Sequence, residues 1–84
     1  MLYLADTDGH EVDPAADGPW FDAFSLRAGL TLIDSPDSRS AVYHGVKRLV
    51  PEGTSLLVAP LADDPKFKGM ASGASAWLAE RSRR

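Results

Sequence analysis

The chain has 84 residues and no cysteine, so neither a disulfide nor a thiolate metal site can support the fold. Histidine is nearly absent as well: only His10 and His44 occur, which argues against a structural zinc site. No stretch approaches the roughly 20 apolar residues that cross a bilayer, so no membrane contact is expected. Residues 1–11, MLYLADTDGHE, lack the basic start and apolar core of a secretory signal, and the expected setting is the cytoplasm. There is no internal repeat, no linker and no Gly-rich nucleotide fingerprint after a strand. No acidic residue is placed to orient His44 behind Ser40, so a nucleophilic triad is not supported and no catalytic residue is assigned.

What is present suits a folded chain. The composition is 44% hydrophobic and 25% charged, too apolar and too evenly charged for disorder. The length fits one domain that buries about 60–65% of its unfolded surface. Stability must then come from apolar packing, helped by a partner subunit if one exists. The abundance of Ala, Asp, Arg and Gly is that of a high-GC bacterial genome. The net charge of −3 conceals a split. Residues 1–37 carry −7 and residues 38–84 carry +4. Such a split can steer an anionic partner to one face, or pair one copy with another. The overall negative sign disfavours a dedicated nucleic-acid binder.

The pattern of apolar residues predicts a small α+β domain: one sheet of three to five strands packed against two helices. Leu2–Ala5 reads as a strand followed by an Asp8-Gly9 turn, whose central positions need positive φ. Residues 10–12 are a candidate return strand, limited by Pro14. Residues 13–19 are a loop by composition. Residues 20–26 read as a strand by aromatic content, and residues 30–33 as another.

Asp37 or Ser38 caps a helix over residues 38–50, with Ala41, Val42, Val46, Leu49 and Val50 on its apolar side. Gly45 within it costs about 1 kcal/mol relative to Ala, a cost expected where another backbone packs close. Pro51 ends the helix. Residues 55–59 are a continuous apolar run, expected to be a strand covered on both faces and central in its sheet. Residues 30–60 thus form a β-α-β unit. A last helix over about 71–81 buries Ala74, Trp77 and Leu78, and residues 81–84 are expected to fray. The expected core is Leu4, Phe24, Leu32, Val42, Val46, Leu49, Leu57, Val58 and Trp77.

Most residues able to do chemistry fall on the first helix. Arg39, Tyr43 and Lys47 are spaced i, i+4, i+8, and Ser40, His44 and Arg48 form a parallel row. Cations, a phenol and an imidazole on one surface suit a phosphate or carboxylate. A solvated face opposite an apolar one explains the same pattern. The Tyr43–Lys47 spacing is also that of short-chain dehydrogenases, but nothing else of that family accompanies it. Lys66 and Lys68, before the last helix, are further candidate anion ligands; the plainer reading is that Phe67 and Met70 close the core while the lysines stay in water.

Residues 6–11, DTDGHE, lack the ligand spacing of a calcium loop. No metal or cofactor is expected. Trp20, Phe21 and Phe24 are core candidates, or an interface if exposed.

The strand–helix–strand order of residues 30–60, with Trp77-Leu78 in a late helix, resembles the small ferredoxin-like domains. Some of these carry a catalytic or metal-binding aspartate at the end of their first strand. Asp34 holds the matching position here, but the elements before it differ, and no role is carried over.

Three functions follow as expectations. The first is a non-enzymatic interaction or regulatory module, as a homodimer or with another protein. The second is binding of a phosphorylated ligand or nucleic acid by the 39–48 helix face together with the 65–70 loop. The third is a small enzyme with Tyr43 or His44 as its acid–base group.

Overall fold

The computed structural model describes residues 1–81; the basic pair Arg83-Arg84, part of the expected frayed end, lies outside them. The elements are β1 (Leu2–Asp6), β2 (Asp22–Arg27), β3 (Leu30–Asp34), α1 (Arg39–Lys47), β4 (Leu57–Leu61) and α2 (Ala74–Arg81). The four strands form one sheet in the order β2-β3-β1-β4, and every pairing is antiparallel. This is the α+β domain with one sheet and two helices that the apolar pattern predicts. Because β3 and β4 are each antiparallel to β1, they run parallel to each other with β1 between them. The β-α-β unit over residues 30–60 is therefore split. A split unit also occurs in ferredoxin-like folds, but the order here, three strands before the first helix, is not theirs.

The two helices cover opposite faces of the sheet. On one face Tyr3, Ala5, Ala23 and Ile33 pack with Val42 and Val46 of α1, joined by Trp20, Leu56 and Val58. On the other, Leu2, Leu26 and Leu32 pack with Ala74 and Leu78 of α2, joined by Phe24, Phe67, Met70 and Trp77. Strand side chains alternate between faces, and both faces of the sheet are covered, so an inner strand is largely apolar on both sides. The apolar run that lies inside is LYLA of β1, and not residues 55–59.

Residues 55–59 contribute instead to β4, an edge strand, and Leu57 is 57% exposed. Pro60 marks the edge in the sequence. Proline cannot donate to a ladder and sits only where its nitrogen faces away from the neighbouring strand. Of the expected core, Leu32, Val42 and Val46 are fully buried, Leu57 is exposed, and Leu4, Phe24, Leu49, Val58 and Trp77 are half-buried.

Other boundaries move for local reasons. The Asp8-Gly9 turn forms, with φ of 53° and 80° and a His10 N–H to Thr7 carbonyl bond of 3.1 Å. Residues 10–12 do not return as a strand, because β3 pairs with all five residues of β1, from Leu2↔Asp34 to Asp6↔Leu30. Ser38 caps α1, its Oγ accepting from the Ala41 N–H at 3.2 Å. The helix closes at Lys47, ahead of the expected residue 50, as Leu49 N–H bonds back to the Val46 carbonyl at 2.9 Å. Pro51 also disfavours helical backbone in Val50. Helix α2 begins at Ala74 rather than 71, since Gly73 has φ of 94° and Ala71 N–H is bonded to the Leu26 carbonyl of β2 at 2.8 Å.

Candidate interaction surface

Gly45 decides what lies beside α1. A β-carbon there would sit 2.6 Å from Pro19 Cδ and 2.9 Å from Trp20 Cζ3, so the loop of residues 13–20 is seated directly on the helix. The loop folds around Trp20, whose indole N–H donates to the Ala16 carbonyl at 3.2 Å. The buried Ser35 hydroxyl, which donates to the Pro19 carbonyl, ties its far end to the sheet. Trp20 is thus a half-buried core residue, while its neighbour Phe21 is 66% exposed. Phe21 borders a recess of about 210 Å3 shared with residues 14–18.

Helical spacing of about 100° per residue places the two chemistry-bearing rows on either flank of α1. Ser40, His44 and Arg48 lie toward the Gly45 side, where the acidic loop sits. Arg39, Tyr43 and Lys47 lie toward the other flank. There Tyr43, Lys47 and Arg48 help to line a cleft of about 430 Å3 with Val50, Thr54 and Leu56.

Arg39, Ser40, His44, Lys47 and Arg48 are exposed and Tyr43 is half-buried. The Tyr43 and His44 rings meet edge to face at 5.2 Å. Helix α1 contains no acid. Among the described residues, no hydrogen bond or ion pair engages the side chain of Arg39, His44, Lys47 or Arg48. In the loop, Asp13 and Asp17 are exposed and likewise form no ion pair among the described residues. Asp13 Oδ1 accepts from the Ala15 N–H at 2.9 Å.

Lys66 and Lys68 are not brought to this surface. Their loop lies on the opposite face of the sheet, where Phe67 and Met70 pack with α2. Lys66 borders Ser75 and Leu78 there, and Lys68 the turn before α2. The seven candidate ligands thus divide into Arg39, Ser40, Tyr43, His44 and Lys47 on one side and two lysines on the other.

A polar group that spacing did not reveal lies under α2. Asp22 and Asp34 are directly opposite on β2 and β3. Trp77 Nε1 donates to Asp22 Oδ2 at 2.9 Å. The Arg81 guanidinium stands 3.6 Å from Asp34 and 3.3 Å from Asp64. These contacts fasten the eight-residue helix α2 to the sheet, which apolar burial of Ala74 and Leu78 alone would hold weakly. The signal was the register of β2 against β3, which no local pattern carries.

No protein-family model matches the sequence, and no curated protein or solved structure is significantly similar to it.

Proposed function

We propose that this chain is a small interaction module that acts through protein–protein contacts, using the surface formed by α1, loop 13–20 and Phe21. The observation that supports this most is the seating of an acidic loop against a cationic helix at Gly45. The loop whose end is seated at Gly45 carries Asp13 and Asp17. A nucleic-acid site is expected to be uniformly basic along the strand it binds. A surface that carries both signs and an exposed aromatic has the makeup of a protein interface, where aromatics and Arg anchor and a polar rim surrounds them.

The test is photo-crosslinking in cells that express the protein, with a benzophenone side chain at Phe21 and, as a control on the opposite face, at Lys68. A discrete cross-linked polypeptide from position 21 and none from position 68 is the expected result. No cross-linked polypeptide from position 21, or the same products from both, would overturn the reading.

A second reading rests on the cleft beside Tyr43, Lys47 and Arg48. Its two cations, phenol and apolar wall of Val50 and Leu56 suit a small phosphorylated ligand better than a polymer. Of the candidate ligands on α1, Tyr43 and Lys47 line this cleft, joined by Arg48, and Lys66 and Lys68 take no part. Amide NMR titration with inorganic phosphate and a mononucleotide mixture tests it. Salt-sensitive shifts confined to residues 43–56 are expected, and unshifted amides would end it.

A further inference from the structure

We infer that the partner of this surface is a second copy of the chain, in an isologous dimer that lays loop 13–20 of one copy against α1 of the other. The inference rests on the protein-interface reading above and names its partner. An isologous interface uses the same patch twice, so the patch must be complementary to itself. One way to meet that condition is a patch that carries both signs of charge, with no ion pair closed within its own chain.

This surface meets it. The loop bears Asp13 and Asp17, and the adjoining helix bears Lys47 and Arg48 with no acid among them. Loop and helix touch through Pro19, Trp20 and Gly45, yet none of these charges is paired among the described residues. A two-fold axis through the loop–helix boundary sets each loop over the partner's helix, so every acid–base pairing occurs twice. Phe21, 66% exposed beside the loop, contributes apolar area at the margin. Opposite charge selects the orientation and speeds encounter.

The sheet edges offer no competing route. At β4, Pro60 supplies no N–H, and strand alternation leaves Val58 as the outward donor in mid-strand. At β2, the Ala23 N–H is taken by Asp22 Oδ1 at 2.9 Å, and the register shifts between Ser25 and Arg27. Both edges are blunted against strand addition, so two copies are not expected to pair sheet to sheet.

Sedimentation equilibrium of the whole chain tests this, in low and high salt, with two charge reversals. One variant is Lys47→Glu with Arg48→Glu; the other is Asp13→Lys with Asp17→Lys. All four side chains are exposed, and Asp17→Lys alone serves if loss of the Asp13 turn bond disturbs the loop. The wild type is expected to dimerise, with its dissociation constant raised about tenfold by high salt. Each reversal alone is expected to give monomer. An equimolar mixture of the two is expected to regain a dimer, because each then presents what the other lacks. A wild-type monomer throughout, a dimer indifferent to both reversals, or a mixture that stays monomeric would overturn the inference. A monomer that still cross-links from Phe21 to a different protein would refute self-pairing and leave the interface reading standing.

Discussion

Replacing Gly45 with alanine sets two known effects against each other. Alanine is favoured over glycine in a helix by about 1 kcal/mol, so Gly45→Ala should stabilise α1 if the site were open. It is not open: the new methyl would lie 2.6 Å from Pro19 Cδ and 2.9 Å from Trp20 Cζ3. Proline Cδ belongs to a ring closed on the backbone and cannot swing aside, so the loop itself must lift. Overpacking of this kind costs about 1–3 kcal/mol. With about 2 kcal/mol as the midpoint, the net is a loss of about 1 kcal/mol. For a domain of 60–100 residues that lowers Tm by about 4–8 °C. Thermal unfolding followed by circular dichroism reads this directly. In a Trp20→Ala background one of the two obstacles is gone, and the same substitution should cost about 1 kcal/mol less. A Tm that rises in the single variant would refute the reasoning. Helix propensity would then dominate and the loop could not be seated on α1, which would remove the surface on which the proposed function depends.

Two leucines separate the centre of the sheet from its edge. Leu32→Ala, at a fully buried position in β3, should cost about 2–5 kcal/mol, a large part of the stability of a chain this size. Leu57→Ala, in β4, should stay within about 0.5 kcal/mol because its side chain is mostly in water. Urea denaturation of both variants checks the pair, and equal losses would refute the placement of β4 at the edge. Pro60→Val should restore an outward N–H to β4 and promote strand-to-strand association; light scattering against time should show larger species than the wild type, and unchanged scattering would mean that the edge is blunted by something other than the proline.

Much of the local structure was legible in the chain. Ser38 announces the start of α1 through its cap, which acts within one turn of helix; its end, at Lys47 rather than residue 50, was not legible from Pro51. The Asp8-Gly9 turn was legible as well, because positive φ is a property of the residues themselves. Gly45 signalled that something packs close, though not what. Neighbours in sequence decide all of these.

What the sequence pattern could not decide was which strand lies beside which. Residues 2–5 and 55–59 are both short apolar runs, and either could be central by hydropathy. The antiparallel pairing of β1 with both β3 and β4 put one in the middle and the other at the edge. The same placement set α1 and the 65–70 loop on opposite faces, dividing ligands that share a charge but not a location. It also brought Asp22 opposite Asp34 and within reach of α2. Composition, caps, turns and the periodicity of each segment belong to the sequence alone, because they are settled by contacts a few residues apart. Strand order, the face each helix covers and the meeting of loop 13–20 with α1 belong to the tertiary structure, because burying both faces of one sheet is a condition on the whole chain and not on any part of it.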